Sequence, residues 1–270
     1  MFSKVKSLIE FYKEIISSRQ LFFTLAKNDF KAKYSGSVFG ILWAFIQPLM
    51  TILVFWFIFQ VGFKSSPIQG YPFILWFACG YIPWVYFSDA VLSASSCLYD
   101  YNYLVKKVKF QTSLIPLVKV ISSAFVHMFF IGFIIILFCF NGMMPSLYYL
   151  QAIYYFFCLT FLLIGISWIV SSISAFFKDI VQIVNIMLQI GFWIVPIFWN
   201  EISVSPTILF LLKTNPMFYI IRGYRDSFVD MIMFWHRPYT TLLFWIETIV
   251  IFIGGALIYK KLNRHFSDVM

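Results

Sequence analysis

Long apolar runs alternate with short polar breaks along most of the chain. A helix crossing the hydrocarbon core of a bilayer needs about 20 mostly apolar residues. Six stretches meet that length: residues 38–61, 72–93, 115–140, 147–177, 180–198 and 241–259. The fourth is long enough to tilt or protrude. Only Lys178 and Asp179 separate it from the fifth, which predicts a very tight turn. Near the N-terminus, Val5, Leu8, Ile9, Tyr12, Ile15 and Ile16 recur at helical spacing beside Lys4, Lys6 and Lys13. That pattern predicts an amphipathic helix lying flat at the interface, with a second amphipathic piece over residues 21–29. Between Trp199 and Thr240 the apolar pieces are short, and Pro206 and Pro216 interrupt them. Pieces of that length cannot cross a bilayer. They suit an interfacial or re-entrant arrangement, in which the backbone is tolerated at depth only beside protein or a wet cavity.

Charge placement orients these elements. With six spans, Lys4, Lys6, Lys13, Arg19, Lys27, Lys31, Lys33, Lys106, Lys107, Lys109, Lys178, Lys260, Lys261 and Arg264 share one side with both termini. Lys64, Lys213, Arg222, Arg225 and Arg237 fall on the other. Cytoplasmic loops carry the excess of lysine and arginine, so both termini are expected in the cytoplasm of a multi-pass inner-membrane protein. The net charge of +9 then belongs to cytoplasmic loops rather than to a nucleic-acid surface. Composition agrees: 61% hydrophobic and 11% charged residues leave far more apolar surface than one soluble core can hide.

Several chemistries are disfavoured. Cys79, Cys97, Cys139 and Cys158 form no paired motif, and His127, His236 and His265 have no zinc-site spacing. Glu247 lies well inside a span and Asp89 near the cytoplasmic end of another, neither with an evident partner at helical spacing. An intramembrane enzyme needs converging reactive groups, and an ion-coupled carrier usually needs ionisable groups in its spans. The nearest approach to a phosphate loop, residues 62–66, lacks the Gly-Lys pair, so active transport would need ATP and Mg bound by another chain.

Rings are what the spans hold in abundance. Trp43, Phe55, Trp56 and Phe59 sit in the first; Phe192, Trp193, Phe198 and Trp199 end the fifth. Aromatic faces pack on the C–H faces of sugars without a fixed hydrogen-bond register, which suits a sliding polymer. These eight residues are the expected pathway lining.

In order, the segments resemble the permeases of type-2 ABC exporters for lipid-linked surface polysaccharides, such as O-antigen and wall teichoic acid. The resemblance rests on "NDFKAKYSGSVFGILWAFIQPLM" (28–50), "YIPWVYFSDAV" (81–91), "NYLVKKVKFQTSLIPLVKVIS" (102–122), "FFKDIVQIVNIMLQIGFWIVPIFW" (176–199) and "NPMFYIIRGYRDSF" (215–228). It implies an all-α integral membrane fold: an N-terminal interface region over 1–37, then a six-helix transmembrane domain over 38–270. Two short re-entrant helices, about 203–228, precede the last span. It implies a homodimer, two ATPase subunits, an undecaprenyl-linked polysaccharide and lipid as partners, with no cofactor in this chain. Residues 99–110 match the coupling helix, which places Tyr103, Lys106, Lys107, Lys109 and Phe110, with Lys178 and Asp179, against the ATPase. Relatives often carry arginine at the Lys178 position, and lysine cannot make the two-pronged contact. Pro216, Tyr219, Arg222, Arg225 and Asp226 would form an outer gate, the arginines either bracing the helices or meeting anionic substrate. Alternatives are a permease of the same superfamily for a drug or simple lipid, and an intramembrane acyl- or glycosyltransferase.

Overall fold

Apolar backbone in lipid must satisfy its own N–H and C=O groups, and helices do this within a single segment. The computed structural model describes residues 19–68, 70–105, 111–201 and 204–266. Among the described residues the regular elements are helical, apart from one isolated bridge between Ile68 and Tyr71. The predicted amphipathic helix carrying Val5 to Ile16 lies outside the described residues, and α1 begins at Arg19 and runs to Lys33. Helix α2 (Trp43–Trp56) is entered through a 3-10 turn, Gly40–Leu42, and leaves through a π-helical turn, Phe57–Gly62. Then follow α3 (Phe73–Asp100), a single turn at Asn102–Val105, α4 (Leu114–Phe140) and α5 (Gln151–Ser174). The chain continues through α6 (Ile180–Ile194), α7 (Pro206–Lys213), α8 (Pro216–Arg225) and α9 (Pro238–Leu262).

Five helices, α2 to α5 and α9 with their flanking turns, are long and apolar enough to cross a membrane. The remaining expected span is shorter than its hydropathy suggests. Helix α6 has 15 residues, about 22 Å of rise against a core of about 30 Å. It stops because Val195 precedes Pro196 and is extended, with ψ 148°; a residue before proline is pushed out of helical conformation. Elsewhere the helices overrun the expected limits. α3 continues past Ser93 to Asp100, so the first residues of the expected coupling segment belong to its last turn.

Helix α3 occupies the centre, packed by α4, α5, α6 and α8; 72% of its most apolar window is buried. The corresponding figure is 17% for α2 and 22% for α9, so these two lie at the periphery with broad apolar faces outward. A close backbone crossing joins α5 to α9 at Gly165 and Gly255, where a Cβ on Gly255 would stand 2.4 Å from the Gly165 carbonyl oxygen. Small residues at a crossing let two backbones touch, a principal source of association between helices in lipid.

Charged residues bind α1 to this frame. Lys119 on α4 reaches Asp29 at 2.8 Å and Asp100 at 3.0 Å, and the Tyr101 hydroxyl donates to Asp29 at 2.8 Å. Lys33 pairs with Asp89, whose other oxygen accepts from Ser123 at 2.6 Å. Asp89, without a partner along its own helix, therefore finds two across helices.

Candidate functional site

Three helices each present a polar and aromatic stripe at helical spacing to one groove. From α2 come Trp43, Gln47 and Thr51; from α3, Tyr81, Trp84, Ser88 and Asp89; from α6, Asn185, Gln189 and Phe192. The groove encloses about 730 Å³ and opens to the outside of the chain. Amides, hydroxyls and ring faces alternate there with aliphatic side chains such as Ile46, Met50 and Leu188, and its carboxylate, Asp89, is paired with Lys33. Such a lining hydrogen-bonds a polar, hydroxylated ligand without holding it by charge. Gln47 with Thr51 and Asn185 with Gln189 stand as i, i+4 polar pairs inside apolar spans, a signal that ionisable residues alone do not carry.

The expected ring residues divide between three places. Trp43 and Phe192 line the groove. Phe55, Phe59, Phe192, Trp193 and Phe198 form a continuous packed cluster at the end of α6: Phe198 lies 4.6 Å from Phe55, 4.7 Å from Phe192 and 4.9 Å from Trp193 between ring centroids. Phe59 stacks on Phe73 at 4.4 Å. The Trp199 indole N–H donates to the Trp193 carbonyl at 3.2 Å. Trp56 is separate. It faces a second groove of about 520 Å³, shared with Phe133 and Leu137 of α4.

At the coupling end, Tyr103 is exposed, while Lys106, Lys107, Lys109 and Phe110 lie outside the described residues. The Tyr99 hydroxyl donates to the carbonyl of Ser174 at 2.7 Å, and Lys178 lies 5.6 Å from the Tyr99 ring centroid. The end of α3 is thus fastened to the turn that carries Lys178 and Asp179, both exposed. The two expected coupling segments are joined at this point.

Proline opens both α7 and α8 at the position where a missing N–H costs nothing, and the Asn215 side chain caps α8 by accepting from the Met217 N–H at 2.9 Å. α7 is exposed, but α8 runs inward between α3, α5 and α9. Pro216 marks its half-buried start, and Tyr219 stacks on Phe244 at 4.7 Å. Deepest is Tyr224, whose hydroxyl lies 2.6 Å from His127 Nε2, midway along α4. The chain then turns back through Asp226–Asp230, and Met231 closes that turn in the left-handed region at φ 53°. Phe228 packs on Phe138 and Tyr149, at the ends of α4 and α5 remote from Lys119.

The arginines here are braced by protein. Arg222 meets Glu201 at 3.0 Å, Asp226 at 3.1 Å and Asp230 at 2.7 Å. Arg237 forks onto Asp226, its Nη2 donating at 3.0 Å. Burial opposes the Arg237 charge, but the hydrogen bond and charge of Asp226 outweigh it and raise the pKa above the ordinary arginine value. Arg225 is buried; it donates to the Ile197 carbonyl at 3.0 Å, and its guanidinium lies 3.3 Å from the Trp76 ring centroid. That stack desolvates the cation against an aromatic face. Arg222, Glu201, Asp226 and Arg237 line a cavity of about 230 Å³ together with Lys213, Tyr155 and Thr240.

A bundle of helices long and apolar enough to cross a membrane, with a polar groove along one face and α8 sunk into its core, fits a membrane transport subunit. The chain belongs to the ABC-2 type transporter family, whose family model matches residues 20–229. Among characterised proteins it is similar to the O-antigen export system permease protein RfbA of Klebsiella pneumoniae. The two are 26% identical over 259 residues, covering 93% of this chain and 95% of that protein. A second Klebsiella pneumoniae protein of that name is 24% identical over the same span. The Myxococcus xanthus protein of that name is 26% identical over 264 residues, covering 97% and 99% of the two chains.

Proposed function

We propose that this chain is the membrane channel subunit of an ATP-driven exporter of undecaprenyl-linked surface polysaccharide of the O-antigen class. Two copies enclose the pathway, and two separate ATPase subunits bind ATP and Mg. Both termini face the cytoplasm of the inner membrane. The observation that carries the reading is the groove between α2, α3 and α6. Its amides, hydroxyls and rings suit a neutral glycan, and relatives matching nearly the whole chain are named as O-antigen export permeases. Wall teichoic acid, whose phosphates would call for cations, fits the groove less well, since no lysine or arginine lines it and Arg222 and Arg237 are held by carboxylates elsewhere.

The inward course of α8 supports its role as a re-entrant gate element, and the Tyr99 tie supports a coupling unit built from residues 99–110 and the Lys178–Asp179 turn. ATPase closure would press on that unit and move α3, which lines the groove. Inverted vesicles carrying this chain with its ATPase should translocate labelled undecaprenyl-linked glycan when ATP is supplied. Movement of a drug or a simple lipid in place of the glycan would assign the chain to another branch of the family. Transfer of a sugar or acyl group by the purified chain alone would make it an enzyme. Reversing Lys106, Lys107 and Lys109 to glutamate should lower ATP-driven export about tenfold or more, the consequence of losing roughly 1.4 kcal/mol of docking energy. Undiminished export and ATPase retention would remove residues 99–110 from the coupling role.

A further inference from the structure

Beside the groove lies a smaller interior cavity of about 80 Å³ between α2, α3 and α4. The two share Gln47, Pro48, Val85 and Asp89 as a common wall. Polar groups also line the inner side: Tyr34, Tyr86, Ser123 and His127. A polar cavity admits a water once it offers roughly 10–15 Å³ and two to four polar partners, and each further water takes up about 30 Å³. This one has the volume and the partners for several.

His127 connects that cavity to α8. Its ring is 2% exposed and stacks on Tyr86 at 4.8 Å and on Phe156 at 5.9 Å between centroids. Nε2 meets the Tyr224 hydroxyl at 2.6 Å; Nδ1 makes no hydrogen bond of good geometry among the described residues, although the Ile82 backbone carbonyl, on the wall of the same cavity, acts on the ring. A neutral imidazole carries one donor and one acceptor, and a buried member left unsatisfied is costly. Water in the adjoining cavity would complete the surroundings of Nδ1 and with them fix which nitrogen bears the proton. That choice in turn sets whether Nε2 gives to or takes from Tyr224.

We infer that His127 is a positioning residue: it fastens the deepest point of α8 to the middle of the bundle, and water in the cavity behind it links that joint to Asp89 and Gln47 on the groove wall. Filling or reshaping the groove would shift Gln47 and Asp89, disturb that water and loosen α8. The joint goes beyond the proposed substrate and stands whichever solute the groove carries.

The test uses the full chain with its ATPase in lipid nanodiscs and reads amide hydrogen exchange over residues 216–230. Tyr224→Phe keeps the ring and removes only the hydroxyl; His127→Leu removes the ring's polarity. Both should speed exchange in 216–230 roughly five- to 150-fold, the range for leaving one buried partner unsatisfied. Exchange in α5 and α9 should stay as it is. His127→Gln, whose amide nitrogen can take the place of Nε2, should recover most of the protection. Unchanged exchange in 216–230, equal acceleration across all helices, or failure of glutamine to recover protection would each overturn the joint. Radiolytic hydroxyl-radical labelling addresses the water. Tyr86 and His127 should be labelled well above Tyr259, which is fully buried away from the cavity. Labelling no faster than Tyr259 would overturn the water link.

Discussion

Arg222→Ala should cost about 3–5 kcal/mol, the usual penalty for removing one member of a buried ionic set. Three carboxylates converge on this guanidinium, and the Asp226 and Asp230 side chains are only 1% and 10% exposed. Without Arg222, Arg237 remains to answer Asp226, while Asp230 and Glu201 lose their ion-pair partner among the described residues. A total stability of about 5–15 kcal/mol makes that a severe loss. The detergent-purified variant should show a thermal midpoint well below the parent's, with much of the material leaving the monodisperse peak in size exclusion. Arg222→Lys should recover only part, because one ammonium cannot reach three carboxylates from a planar fork. Combining Arg222→Ala with Asp230→Asn and Glu201→Gln should recover more, since it removes the stranded charges. A single alanine variant as stable as the parent would show that the network is solvated and weak.

That network is half legible in the sequence. Arg222 and Asp226 stand four apart on a helix, and an Arg–Asp brace follows from their spacing. Glu201, Asp230 and Arg237 are brought in by the hairpin, and no local pattern places them. The same division runs through the molecule. Apolar runs located the long helices because a membrane helix is hydrophobic on every side, whatever its neighbours. Pro206 and Pro216 marked α7 and α8 because proline opens a helix without cost. The shortening of α6 was written in Pro196, but an average over "FWIVPIFW" stays apolar and passes through the break. On α2, Trp43, Gln47 and Thr51 follow one another at intervals of four along the groove, and Phe55 continues the row towards Phe198. Trp56 is one residue out of that register, a turn of about 100°, which sends it to the opposite groove. Counting rings without their register sets Trp56 beside rings that face a different groove. The pairings Asp29–Lys119 and Lys33–Asp89 span 90 and 56 residues. They depend on which helices are neighbours, and periodicity along one helix is silent on that.

Register also decides between two adjacent glycines on α9, with opposite expected results. A Cβ on Gly255 would meet the Gly165 oxygen at 2.4 Å, and a Cβ on Gly165 would meet the Phe252 Cα at 2.8 Å. Both obstacles are backbone, so no side-chain rotation relieves them and the helices must part. Phe252 stacks on Phe161 at 4.1 Å beside this crossing, and separation would pull that pair apart as well. α9 lies at the periphery and rests chiefly on α5, so it has little else to hold it. Gly255→Leu should therefore destabilise by at least the roughly 1–3 kcal/mol typical of overpacking, and Gly255→Ala by less but in the same direction. Gly254 has nothing within 4 Å of its Cβ position. Gly254→Ala should be neutral or stabilise by about 0.5–1 kcal/mol, because alanine restricts the unfolded helix interior more than glycine does. Thermal midpoints of the three variants in one detergent would read the contrast. Equal effects at 254 and 255 would mean that α9 does not touch α5 through this face, and the close crossing on which the rear of the bundle depends would have to be abandoned.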